Sequence, residues 1–227
     1  MKQLVFDIAP PPRPTLENFA VGPNAEVLAM LRALLAGESH DRFVYLWGGA
    51  GCGKSHLLQG VASAAEAHHL RLCMVGGAAQ MCGEDEVAQC DIVLVNDVLK
   101  LDDVGQSCLF NIMNRMRDGS GLLIATGPYA PMHLHIRQDL ASRLAQCLVL
   151  QVKCLTDEDK VQALTLHAQT RGFTLARDVA AYLLKTWKRD LPALLAVLDA
   201  LDRYSLEMKR AITVPLAREV LALLPKD

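Results

Sequence analysis

The segment Gly48-Gly49-Ala50-Gly51-Cys52-Gly53-Lys54-Ser55 constrains this chain more than any other, because it fits G-x-x-x-x-G-K-[ST] in the setting that pattern needs. The apolar run Phe43-Val44-Tyr45-Leu46-Trp47 precedes it, and an apolar-periodic segment, His56 to Ala67, follows. A strand, a glycine-rich turn and a helix in that order make a phosphate cradle. The glycines let successive backbone N–H groups converge on phosphate oxygens, and the helix adds the positive end of its dipole. The chain is therefore expected to bind a nucleotide along Gly48, Gly49, Ala50, Gly51, Cys52, Gly53, Lys54, Ser55 and His56. Lys54 should reach the β and γ phosphates, and the Ser55 hydroxyl should help hold Mg²⁺. The Cys52 side chain reads as a tolerated small residue, since the cradle uses backbone groups there.

With 227 residues the chain can bury one α/β domain and a small appendage, but not two large domains. Lys and Arg number 23 against 25 Asp and Glu, a formal net charge of -2, so the global footprint of a stand-alone DNA binder is missing. Contact with DNA is expected mainly through a partner. The seven cysteines include no C-x-x-C pair and sit mostly in apolar segments, which reads as thiols in a reducing compartment rather than disulfides or a zinc site. No secretory leader is evident, and no apolar run approaches the roughly 18 residues that span a bilayer, so a cytoplasmic protein with no membrane partner is expected.

Three segments follow from the patterning. Residues 1–14 carry the short apolar peptide Gln3-Leu4-Val5-Phe6-Asp7-Ile8 and then four prolines, Pro10, Pro11, Pro12 and Pro14. Prolines at that density favour extended polyproline II, so this reads as a peptide on a stiff tether. Residues 15–154 alternate between helical segments and strand candidates at Arg42–Trp47, Arg71–Val75, Asp91–Val95, Gly121–Thr126 and Cys147–Val152, the pattern of a parallel sheet flanked by helices. Asn24 is placed to cap a first helix that ends at Gly37, and Gly105–Arg117 reads as a crossover helix. From residue 155 to 227 the pattern is helical only. Thr156 and Asp159 form a capping box, Gly172 closes that helix, Asp178–Trp187 and Leu191–Leu206 continue, and Pro215 begins the last.

Ile92-Val93-Leu94-Val95 ends in Asn96-Asp97, where P-loop proteins place an acid for the metal. An amide at Asn96 offers one oxygen and no charge, so with Ser55 it should hold Mg²⁺ weakly. Asp97 either serves by a one-residue shift or orients water. On the next core strand Thr126 is suited to sense a γ-phosphate. The pairs His133/His135 and His68/His69 lack carboxylate or cysteine companions at metal spacing and read as solvated side chains.

These residues resemble a family. GGAGCGKSH at Gly48–His56, Asn96-Asp97 after an apolar run, Asp139-Leu140-Ala141-Ser142-Arg143-Leu144 before a strand, Thr15-Leu16-Glu17-Asn18-Phe19, and Leu155–Lys160 are similar, in that order, to the AAA+ module of the bacterial replication initiator DnaA. The resemblance spans about residues 15 to 224. It implies an α/β P-loop AAA+ module followed by a small all-helical lid, with ADP or ATP and Mg²⁺ as cofactors. The sequence ends after the lid, so a helix-turn-helix DNA-binding domain like the initiator's is not expected. The peptide Gln3, Leu4, Val5, Phe6 is similar to motifs that dock on the bacterial sliding clamp.

The resemblance implies a role as well. In such modules an arginine of one subunit stabilises charge on the γ-phosphate held by another, and Arg143 falls at that position. The implied partners are DnaA and the DNA polymerase sliding clamp (its β subunit), with a homo-oligomer left open. The implied outcome is hydrolysis of initiator-bound ATP and a limit on re-initiation. Pro192 stands where the family usually offers a sensor arginine, with Arg189 nearby, and together with Asn96 this predicts weak hydrolysis by the chain's own site. The alternative reading is a helicase loader or other DnaA-like ATPase acting on its own.

Overall fold

The computed structural model describes residues 13–75, 87, 89–117, 119–188 and 190–224. Gln3 to Phe6, Arg189 and the proline tether up to Pro12 lie outside the described residues. The chain divides into two compact units, one of them Pro14–Cys154 and the other containing Leu155–Asp227.

In the first unit, five strands form a wholly parallel sheet in the order β2-β3-β4-β1-β5: β1 Phe43–Trp47, β2 Leu72–Val75, β3 Ile92–Val95, β4 Leu122–Gly127 and β5 Leu148–Gln151. All five expected strands are present, each within a residue or so of its expected bounds. Parallel strands are covered on both faces, which is why β3 and β4 are buried along their length and apolar apart from Thr126. Side chains alternate between the faces. Val44 and Leu46 point to one core with Leu94 and Ile124, whereas Tyr45 points to the other with Val93, Leu123 and Ala125.

Helices α1 (Ala25–Leu35) and α2 (Lys54–Ala67) cover the first face through Leu28, Leu31, Leu57 and Val61. Helices α3 (Asp103–Met116) and α4 (Gln138–Ala145) cover the second through Leu109, Ile112, Leu140 and Leu144. The strand order reverses beside β1, so the crevice that open α/β sheets use for ligands lies at the carboxyl ends of β1 and β4. The expected Asn24 cap is not made. The Asn24 side chain is buried and bonds the backbone of Lys153 instead, donating to its carbonyl at 2.9 Å and accepting from its N–H at 2.7 Å. A pairing 129 residues away outcompetes the local cap because it satisfies both ends of the amide.

The second unit packs α5 (Asp157–Thr170), α6 (Arg177–Thr186), α7 (Leu191–Met208) and α8 (Val214–Leu223) around Leu164, Leu183, Leu198, Leu201, Leu216 and Val220. The capping box forms, with the Asp159 N–H donating to Thr156 Oγ1 at 3.1 Å and the Thr156 N–H to the Asp159 carboxylate at 2.9 Å. Asp190 caps α7 through the Ala193 N–H, and Pro192 occupies its first turn, where no N–H is needed. The Asp199 carboxylate on α7 accepts from His167 Nε2 at 2.6 Å and pairs with Arg171 Nε at 2.9 Å, which fastens α5 to α7.

Cys52, Cys90, Cys108, Cys147 and Cys154 are not disulfide-bonded, as expected, and burial pushes the Cys147 thiol up to about 12. Cys73 departs from that expectation and is disulfide-bonded. No helix among the described residues is long and apolar enough to cross a membrane.

Candidate nucleotide site

The loop after β1 has the form that the octapeptide predicts. Gly53 stands at φ +100° and turns the chain directly into α2, so Lys54 and Ser55 lie in the first helical turn, two residues earlier than the apolar periodicity starts. A side chain at Gly53 would be strained by that φ, and its Cβ would stand 2.8 Å from the Phe19 ring. At Gly48 a Cβ would strike the carbonyl oxygen of Val152, so the loop runs directly against the chain leaving β5. Both positions accept only glycine, which leaves the loop's backbone to define the cradle.

The Lys54 ammonium sits over the loop and donates to the carbonyls of Gly48 at 2.7 Å and Gly49 at 2.9 Å, with Cys52 Sγ at 3.6 Å. It is thus the charge held over the concave backbone. Burial raises the Cys52 thiol and outweighs the nearby Lys54, so the thiol stays protonated and serves as packing under the loop. Cys154 lies beside the same loop, 3.9 Å from the Ala50 carbonyl.

The Ser55 hydroxyl donates to Asn96 Oδ1 at 3.2 Å, which brings together the two oxygens expected to hold Mg²⁺. Asp97 has φ +67° and its carboxylate accepts the Leu99 N–H at 3.3 Å, fixing the turn that follows β3. The Thr126 hydroxyl is fully buried; it accepts from the Asp97 N–H at 2.9 Å and faces the Val95 carbonyl at 3.4 Å. Its bonds therefore go to the end of β3 and hold Asp97 in place. Beneath it, the Tyr45 hydroxyl donates to the Tyr129 carbonyl at 2.8 Å, and burial, helped by Asp97, holds it far above the usual phenol range.

His56 is turned away from the cradle. Its Nε2 lies 3.1 Å from the Thr15 carbonyl and 2.9 Å from Asn18 Oδ1, both acceptors, so that nitrogen carries the proton. Its ring meets Phe19 edge-on at 5.5 Å, and burial lowers its pKa. The segment Thr15–Phe19 is thereby seated on the start of α2, an arrangement that the pattern of the P-loop alone does not reveal.

Arg143 lies in the last turn of α4, on the face of the sheet opposite α2. Its guanidinium stands 5.7 Å from the centre of the Phe110 ring, with Gln146 Oε1 at 3.5 Å from Nη1. The sheet separates it from the chain's own cradle. Among the described residues no group of three or more His, Cys, Asp or Glu could hold a metal ion.

Comparison with known proteins places this geometry. The family profile described as "Hda, lid domain" matches residues 157–221. Domain III of DnaA from Thermotoga maritima superposes with a TM-score of 0.72 at 20% identity, covering 92% of this chain and 95% of that one. AMPPCP-bound DnaA from Aquifex aeolicus gives 0.71 at 20% identity, covering 88% of this chain and 71% of that one. A RuvB variant from Thermotoga maritima gives 0.66 at 16% identity over 95% of this chain and 74% of the other. The five-stranded parallel sheet, the glycine loop at the end of its β1 and the helical unit that follows give the chain a P-loop fold of the class shared with these DnaA and RuvB structures. The helical unit distinguishes this chain within that class. Residues 157–221 thus match the lid family of Hda, on a chain whose fold is that of DnaA domain III.

Proposed function

We propose that this protein is a nucleotide-bound AAA+ adaptor that, together with the DNA-loaded sliding clamp, stimulates hydrolysis of the ATP bound to DnaA and so limits re-initiation of replication. The observation that carries the reading is a lid of the Hda kind at residues 157–221 attached to a P-loop unit with the DnaA fold. The sequence of Gln3, Leu4, Val5 and Phe6 supports the clamp contact, and a tethered peptide would raise the local concentration of the AAA+ surface beside DNA-bound initiator.

The cradle suits a diphosphate. The backbone of Gly48 to Gly53 would hold the phosphates, and the Lys54 ammonium is poised over the loop by two carbonyls that it could exchange for phosphate oxygens. Mg²⁺, when bound, supplies positive charge between phosphate oxygens, and Ser55 and Asn96 would hold it. They fit such an ion as two neutral oxygen donors 3.2 Å apart, without the carboxylate that gives tight binding. One oxygen of Asp97 is engaged in its turn and the Thr126 hydroxyl accepts from the Asp97 N–H, which ties both groups to the end of β3. The chain's own hydrolysis is therefore weak, and ADP is the ligand that the site favours. Arg143 is the finger offered in trans: a planar guanidinium on the sheet face opposite α2, the helix that opens the chain's own cradle.

The test is ATP hydrolysis by ATP-loaded DnaA with DNA-loaded clamp, with and without this protein in its ADP form. Stimulation that is lost in the Gln3/Leu4/Phe6 triple alanine variant supports the reading. No stimulation, with hydrolysis by this chain alone, would overturn it in favour of an independent ATPase such as a helicase loader.

A further inference from the structure

We infer that Phe110 is a positioning residue that holds the Arg143 guanidinium ready for the phosphate of a partner-bound nucleotide. The inference deepens the proposed function and rests on its assignment of Arg143 as the finger.

Arg71, Arg137, Arg171 and Arg210 are each paired with a carboxylate, Asp91, Asp139, Asp199 and Glu219 respectively. Arg143 has no carboxylate partner among the described residues. Its guanidinium instead faces the Phe110 ring, 5.7 Å from the centre, and its one polar side-chain contact is the neutral Gln146 at a long 3.5 Å. A carboxylate would orient a guanidinium but also neutralise it, and a phosphate would have to compete for it. An aromatic face attracts the cation through its quadrupole without taking up any of its N–H donors. The ring is a firm platform, because Phe110 sits on α3 packed against the core that includes Leu109, Ile112 and Leu144. Holding a long side chain in one region before the partner arrives removes part of the ordering cost that would otherwise be met in the transition state.

The experiment uses the full chain in two assays. In the first, proton NMR of the protein alone reads the Arg143 δ-methylene resonances. Ring current from Phe110 should shift them upfield; Phe110→Leu should return them toward ordinary values, and Phe110→Tyr should keep the shift. In the second, the DnaA ATPase assay with DNA-loaded clamp compares the same variants with Arg143→Ala. Phe110→Leu should lower the maximal stimulated rate by about two- to five-fold, the factor expected for an exposed cation–π contact. Its half-saturating concentration should stay unchanged, and Phe110→Tyr should restore the rate. A merely structural role would lower both leucine and tyrosine variants alike or alter binding, and either result overturns the inference. So would unshifted Arg143 resonances in the wild-type protein, or a Phe110→Leu variant at the full rate. Arg143→Ala that stimulates fully would instead refute the proposed function itself, so the two failures are distinguishable.

Discussion

Replacing Asn24 by Ala removes the side chain that ties the start of α1 to the chain leaving β5. Asn24 is 1% exposed and makes two hydrogen bonds to one residue, 2.9 Å to the Lys153 carbonyl and 2.7 Å from its N–H. Each bond contributes about 1 kcal/mol net, and stranding a buried partner adds to that, so the loss is about 2–3 kcal/mol. The Lys153 side chain is exposed, and partial rehydration of its backbone keeps the figure from going higher. Urea titration in a Trp187→Phe background, where Trp47 alone reports on the sheet, provides the assay. With a urea slope of about 1–3 kcal/mol per molar for a unit of this size, the midpoint should fall by about 0.7–3 M with the slope unchanged. Asn24→Asp restores only the acceptor and opposes a carboxylate to the Lys153 carbonyl, so at neutral pH it should be no more stable than the alanine variant. A midpoint within about 0.3 M of wild type for Asn24→Ala, or an aspartate variant as stable as wild type, would refute the reasoning.

Three further outcomes are expected. Gly53→Ala combines a left-handed φ of +100° with a contact on Phe19, so binding of a fluorescent ADP analogue should weaken by about ten-fold or more, the cost of about 1–2 kcal/mol for that backbone region plus the clash; wild-type affinity would contradict the loop geometry. His56 has its pKa lowered by burial, so the neutral ring's contribution is fully present above the unfolded pKa and is lost as pH falls through the lowered folded value. Thermal melting should therefore drop more steeply below about pH 6.5 in wild type than in His56→Gln, and parallel curves would exclude His56 as the cause. In the helical unit, Asp199→Ala strands His167 and Arg171 and should cost about 1–3 kcal/mol, read by Trp187 fluorescence in a Trp47→Phe background, whereas an unchanged midpoint would show that the clamp between α5 and α7 is inconsequential.

The elements that could be read from the sequence were those whose information is local. All five strands carry their own apolar runs, Thr156 with Asp159 announces a capping box, and the octapeptide brings its own turn chemistry. The readings that failed were those in which a distant partner competes for a side chain. Asn24 makes no cap, because Lys153 supplies two bonds to its amide. The contacts of the His56 ring with Thr15 and Asn18 are likewise set by residues 41 and 38 positions away, which the motif does not contain. Cys73 looked like another buried thiol, and nothing in its neighbours' spacing distinguished it.

The sequence by itself determined that a phosphate cradle exists and which backbone stretch forms it, because a G-x-x-x-x-G-K-[ST] loop between strand and helix owes its shape to short-range steric freedom. Only the tertiary structure decided what surrounds it. The parallel order β2-β3-β4-β1-β5 brings Asn96 to Ser55 and Thr126 to Asp97, and puts Arg143 across the sheet on the Phe110 face. These juxtapositions join residues 29 to 41 positions apart, or two helices on one sheet face, and they arise from burial of both faces of the sheet, a constraint that no local stretch of sequence contains.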